Sequence, residues 1–231
     1  MRIFWFIAAV ILIGLGLSAQ AQTSSAKPFE QDPLCFNEKL CKVVCDLPAC
    51  QRRVPRELWS GVLATGGLVL RLTEARLLLP ENPEWFQIGR DSSVWVRYPG
   101  RKTITFDRMR AKVFGIQEYF GSDSGIKFSD IPRIQFEEGF EAAEPLDLSS
   151  LRVWRHAMLF KKDGFRRAQR LFSTRRAGLS VYVEGELDGE LNHVAWLVNE
   201  SELNGYTMIQ AKGFSFDEFL AVLMTAKEGS D

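Results

Sequence analysis

The sequence predicts an α+β fold: an antiparallel β-sheet packed by helices, with a disulfide-tied helical segment near the N-terminus and a C-terminal capping helix. Three observations predict it. The alternating runs LSVYVEGEL and ELNHVAWLV flank Asp188-Gly189, a strong short hairpin signal. Ser215 with Glu218 three residues on opens the apolar run FSFDEFLAVLM as a capping box opens a helix. All four cysteines fall between Cys35 and Cys50, downstream of an apolar leader.

The elements follow in chain order. Arg2 precedes the uncharged apolar run Ile3–Leu17, and Ala19-Gln20-Ala21 follows. This is the pattern of a cleaved signal peptide over residues 1–21, cut after Ala21. The run is short for a membrane span of roughly 20 residues. The expected location is therefore periplasmic or secreted. Residues 22–55 form a polar N-terminus and the cysteine segment, and residues 56–231 form one α+β domain with a sub-boundary near 145–150.

In an oxidising compartment Cys35, Cys41, Cys45 and Cys50 are expected to form two disulfides. Their spacings lack the C-x-x-C pairs of zinc ribbons and thioredoxin-like redox sites. Asn37–Asp46 reads as helical, which puts Cys41 and Cys45 on one face in poor geometry for bonding each other. Each is expected to pair with Cys35 or Cys50, in either combination. A short-loop bridge contributes about 2–3 kcal/mol.

Glu57–Leu79 is mostly apolar, broken by Gly66-Gly67. Its second half is a strand or a short helix, and Pro80 ends it. SVWVRY and KTITFD flank Pro99-Gly100 as antiparallel strands. AKVFGIQEYF is a further strand candidate. In GIKFSDIPRIQF, Pro132 points to an edge strand. Glu137–Asp147 carries five acids and no base, the composition of a solvated loop.

A two-residue turn at Asp188-Gly189 sets Leu179, Val181 and Val183 on one face with Val194, Trp196 and Val198. In that register His193 lies across from Glu184 as an exposed ion pair, and Glu184 and Glu186 face solvent. Asn204-Gly205 starts the strand YTMIQA. Phe214 and Phe219 occupy hydrophobic-staple positions, and Phe216, Phe219, Leu220, Leu223 and Met224 form one helical stripe.

Charge narrows the function classes. The chain has 29 basic and 29 acidic residues, so nucleic acid is not the expected partner. No phosphate loop, G-x-G-x-x-G, H-E-x-x-H or nucleophile elbow is present. No cofactor is expected, and the EGELDGEL run lacks calcium-loop spacing. His156 has no thiol or activated serine near it in sequence. The most distinctive charge feature is Arg152–Arg176, with nine basic residues against Asp163 alone. If Phe165–Ser173 is helical, Arg166, Arg167 and Arg170 share one face opposite Ala168, Leu171 and Phe172. Arg155, Lys161, Lys162, Arg166, Arg167 and Arg170 are the candidate binding residues, for an envelope protein or an anionic lipid surface. Their alternative role is to neutralise the acidic loop Glu137–Asp147.

RLFSTRRAGLSVYVEG, NHVAWLV and YTMIQAKGFSFDEFLAVL together resemble the small C-terminal domain of bacterial periplasmic regulators of the envelope-stress sigma factor. The likeness covers about 60 residues near Arg170–Thr225 and lies in the pattern of hydrophobics. It implies a strand through Ser180-Val181-Tyr182-Val183, then two strands and a short helix, and it makes LFSTRR a strand. The family's larger N-terminal domain resembles lipoprotein-carrier folds, a curved antiparallel sheet over helices, which residues 56–150 would adopt. The resemblance implies no site residue.

The expected function is a non-catalytic binding or regulatory protein of the cell envelope that engages an apolar or anionic partner. A hydrolase with a site assembled from distant residues and a structural envelope subunit are the alternatives.

Overall fold

The computed structural model describes residues 51–63, 67–72, 75–90, 92–110, 125–139, 148–201 and 205–228. The leader, the cysteine segment and the strand candidate at 111–120 lie outside the described residues. Among the described residues ten strands run in chain order: β1 Leu68–Arg71, β2 Ala75–Leu79, β3 Trp85–Ile88, β4 Val94–Tyr98, β5 Lys102–Arg110, β6 Ala168–Arg176, β7 Leu179–Leu187, β8 Asn192–Asn199, β9 Gly205–Lys212 and β10 Lys227–Glu228. The helices are α1 Ile131–Glu137, α2 Leu148–Arg167 and α3 Phe216–Leu223.

Seven strands form one antiparallel sheet in the order β3-β4-β5-β9-β8-β7-β6, and β1-β2-β10 form a small second sheet. Alternation along each strand separates two cores. On one face Val96, Ile104, Val181, Leu197 and Ile209 meet α3 and the small sheet, through Phe219, Leu223 and Leu77. On the other face Tyr182, Val198 and Tyr206 meet α1 and α2, through Phe136, Trp154 and Phe165. The large sheet is thus the middle of three layers, which is the expected α+β antiparallel architecture.

The α3 cap forms as its sequence predicts. The Glu218 amide donates to Ser215 Oγ at 3.2 Å, and the Ser215 amide donates to the Glu218 carboxylate at 2.7 Å. Phe216, Phe219, Leu220, Leu223 and Met224 are all buried. The apolar half of Glu57–Leu79 resolves into the β1–β2 hairpin, with Leu68 opposite Leu79.

Four expectations are corrected. The helix expected over Phe165–Ser173 stops at Arg167, and β6 starts at Ala168. The six residues Leu171–Arg176 are strand, pairing from Leu171↔Glu184 to Arg176↔Leu179. Phe172 faces the α3 core while Leu171 packs against the other, so pairing with β7 overrides the local helical pattern.

Pro132 does not sit on an edge strand. It occupies the first turn of α1, behind a short 3₁₀ turn at Phe128–Asp130, where a missing N–H costs nothing. The first acids of the expected solvated loop, at the end of α1, are buttresses instead. Glu137 accepts from the Tyr182 hydroxyl at 3.0 Å and pairs with Arg56 at 2.7 Å. Glu138 accepts from Trp154 Nε1 at 3.2 Å and pairs with Arg133 at 2.9 Å.

The β7–β8 hairpin is offset by one residue from the expected register. Glu184 lies opposite Val194, and Val183 opposite Ala195. Glu186 adopts φ 54°, Asp188 φ 56° and Gly189 φ 77°, so the connection carries an extra residue. The Gly189 amide donates to Glu186 O and the Glu190 amide to Leu187 O. A one-residue slip exchanges the faces of the partner strand. Ala195 and Leu197, not Val194 and Trp196, therefore share a face with Val181 and Val183. His193 and Glu184, expected at the surface, are 1% and 4% exposed.

Candidate functional site

The offset register turns Val194 and Trp196 toward α2, onto the sheet face that Glu184 occupies in either register, and the three help line a cleft of about 290 Å³. Phe160, Asp163, Gly164 and Arg167 supply its helical wall. Their spacing of three, one and three residues puts them on one side of a helix. The sheet supplies Met109, Trp196, Tyr206 and Met208, and α1 supplies Ile131 and Gln135. Two methionines and a tryptophan make an adaptable apolar floor.

Glu184 is the polar feature of this cleft. Gln135 Nε2 donates to its Oε1 at 2.7 Å. Burial pushes the carboxyl up to about 8, the nearby Asp163 charge pushes the same way, and Gln135 and Arg167 oppose it. Burial thus favours the protonated carboxyl, which can both accept and donate a hydrogen bond. Gly164 makes room for it: a methyl group there would lie 2.2 Å from Oε1. At the rim, Arg167 pairs with Asp188 at 2.8 Å and with Asp163 at 3.7 Å. Phe160 is exposed beside it.

The expected basic residues do not assemble into one surface. Arg155 and Lys162 are half-buried on α2. Lys161 is wholly buried; its ammonium donates to Glu138 O at 2.5 Å and lies 5.0 Å from the Phe165 ring centre. Burial, helped by the Arg53 charge, lowers this amine to about 8 against the pull of Glu138. Arg166 pairs with Asp163 at 3.4 Å. Arg170 lies on β6, on the α3 side of the sheet. Its guanidinium stacks 4.0 Å over the Phe216 ring and pairs with Asp217 at 3.3 Å and Glu186 at 3.8 Å. Of the six, Arg167 alone borders the cleft. Arg167 and Arg170 are met by acids distant in sequence.

His156 meets Phe160 edge-on at 4.5 Å, and burial lowers its pKa. It does not line the cleft, whose described lining holds two carboxyl groups and an arginine but no histidine, cysteine, serine or lysine. His193 is part of the opposite core. Its Nδ1 accepts from the Glu186 amide at 3.0 Å and its Nε2 donates to Phe214 O at 2.7 Å, while the ring stacks on Phe219. Both nitrogens are used, which fixes one neutral tautomer. Cys35, Cys41, Cys45 and Cys50 lie outside the described residues. No described helix is long and apolar enough to cross a membrane.

Apart from Arg167, the residues that build the cleft were not singled out as binding residues by sequence. Gln135 lies in a segment that reads as an edge strand, and Glu184 in one that reads as a solvated hairpin face. The one available signal was Glu184 itself, an acid directly after the apolar run Val181-Tyr182-Val183. No protein-family model, curated protein or solved structure matches this chain.

Proposed function

We propose that this chain is an exported, non-catalytic binding protein of the cell envelope, whose cleft between α2 and the sheet receives an apolar ligand or partner segment. The observation that carries this reading is an apolar cleft whose lining holds the buried Glu184 carboxyl, hydrogen-bonded by Gln135. A volume of about 290 Å³ is at the lower end of ligand sites, which run from about 300 to 1,000 Å³. Apolar walls supply affinity, and a few polar groups fix orientation. Glu184 offers one hydrogen bond, and Arg167 offers a charge at the mouth for an anionic end.

Export and the disulfides belong to the same proposal. They rest on the leader ending at Ala21 and on the four clustered cysteines. Thiol titration of the denatured mature protein tests them: four reactive thiols would overturn the disulfide assignment.

The binding reading is tested with N-phenyl-1-naphthylamine, an uncharged apolar fluorophore. Saturable fluorescence enhancement is expected, with quenching of Trp196 emission. Met208→Glu puts a charge on the apolar floor and is expected to abolish both signals while leaving the far-ultraviolet circular dichroism unchanged. Equal probe binding by parent and Met208→Glu protein would overturn the assignment of the cleft.

A further inference from the structure

The two edges of the seven-stranded sheet are built in opposite ways. β6 carries Arg170, Arg175 and Arg176. Arg56 pairs with its Ser173 in a parallel bridge, and the Glu57 amide donates to Ser173 O at 2.7 Å. Charge and a covering segment are the usual protections of an edge against pairing with another chain.

β3, at the other edge, has neither protection among the described residues. Its sequence is WFQI, with no charge and no proline, and all four residues are exposed. Trp85 is 47% and Ile88 66% exposed. The outer N–H and C=O groups of such an edge are a template for another strand. Phe86 lies opposite Val96 and Ile88 opposite Val94, so both side chains stand at the margin of the α3-side core.

The stretch from Glu84 to Arg90 reads EWFQIGR, and it is complementary to itself. Placed antiparallel to a second copy about a twofold axis through Gln87, it sets Gln87 against Gln87, Phe86 against Ile88, Trp85 against Gly89 and Glu84 against Arg90. Acid then meets base at both ends, and the apolar pairs lie between them. A slip of one residue sets Glu84 against Gly89 and Phe86 against Gln87, and both matches are lost. Arg90 is exposed at the start of the β3–β4 turn. Glu84 is exposed and pairs with Arg97 at 3.4 Å, so the carboxylate is shared and not consumed.

We propose that the chain forms a twofold dimer by antiparallel pairing of β3 with β3 of a second copy, in the register centred on Gln87. The two sheets then run on as one, and Phe86 and Ile88 carry the core across the axis. Such an interface is isologous, each copy giving the same patch.

The test uses the purified protein. Sedimentation equilibrium is expected to give twice the mass of the single purified chain. Gln87→Cys is expected to add a covalent, reducible dimer that the parent protein lacks. Directly opposed residues have Cβ atoms about 4.5–5.5 Å apart, close enough for a disulfide after small adjustment. Trp85→Cys, off the axis, is expected not to cross-link. Ile88→Lys is expected to give a folded monomer. Glu84→Arg is expected to weaken the dimer about tenfold or more, and Glu84→Arg with Arg90→Glu to restore it. A monomer at all concentrations would overturn the proposal. So would a dimer that survives Ile88→Lys and fails to cross-link through Gln87→Cys. An unrelated strand co-purifying on β3 of a monomer would overturn it too.

Discussion

The Glu184 carboxyl is packed against Gly164 so closely that a methyl group on Gly164 would fall 2.2 Å from Oε1 and 2.4 Å from Oε2. A buried acid on β7 is thus matched by the absence of a side chain on α2. Gln135 holds the same carboxyl from α1. Three elements far apart in sequence converge on one group.

Gly164→Ala is therefore expected to destabilise the protein by about 1–3 kcal/mol, the cost of overpacking, although alanine favours a helix. Thermal denaturation measures it. The double variant Gly164→Ala with Glu184→Ala is expected to be less damaging than the sum of the two, because the clash vanishes with the carboxyl group. Additive losses would show that Gly164 and Glu184 are not coupled.

The Glu184 carboxyl also makes stability depend on pH. Its folded pKa of about 8 lies above the ordinary 4.5. Between these values the native state holds a proton that the unfolded chain has released. Stability contributed by this group is present below about 4.5 and falls as pH rises toward about 8. Glu184→Gln is expected to flatten that decline and to stabilise the protein at pH 8 by about 2 kcal/mol or more, since each tenfold change in proton affinity is worth about 1.4 kcal/mol. Chemical denaturation at pH 5 and pH 8 measures the difference. An unchanged slope would show that Glu184 is ionised in the native state.

His193 acts with the opposite sign. Burial is the largest influence on it and lowers its pKa against the favourable Phe214 carbonyl. Below about 6.5 the unfolded chain takes up a proton that native His193 resists, so its contribution is present above about 6.5 and is lost on acidification. His193→Gln is expected to weaken this acid-side decline while lowering stability at neutral pH, since glutamine reaches the Glu186 amide and Phe214 O less well. Denaturation between pH 5 and pH 7 checks both effects.

The Tyr98 hydroxyl is buried with no hydrogen-bond partner among the described residues, and burial pushes its pKa up to about 12. The ring itself packs edge-on against Phe214 at 5.7 Å. Tyr98→Phe keeps that packing and removes the unsatisfied group, so it is expected to stabilise the protein by about 1 kcal/mol. A loss of similar size would reveal a partner for the hydroxyl.

What could be read from sequence was what neighbours in sequence decide. The α3 start was legible because Ser215 and Glu218 bond each other's backbone within one turn. The strands on either side of Asp188 were legible from alternation. Their register was not, because it turns on Glu186 taking a positive φ, which a glutamate side chain does not announce. That one residue hid His193, Val194 and Trp196, while Glu184 was hidden by the helix layer that covers its face, and with them the cleft. Pro132 was ambiguous for a related reason: an edge strand and a first helical turn both spare it an N–H. The arginines were conspicuous as a run, but the acids that Arg167 and Arg170 meet, Asp188, Glu186 and Asp217, come from the β7–β8 turn, from β7 and from α3. Composition reports a charge and not the partner that cancels it.

Strand β7 has a helix layer on one side and α3 on the other, with β6 and β8 along both flanks. Solvent reaches its amide protons only when a whole layer departs. In deuterated water these protons are the last to be replaced, and they set the clock for global opening. Within the single chain strand β3 is flanked by β4 alone, so its outward amides exchange well before those of β7, and pairing with a second copy would slow them.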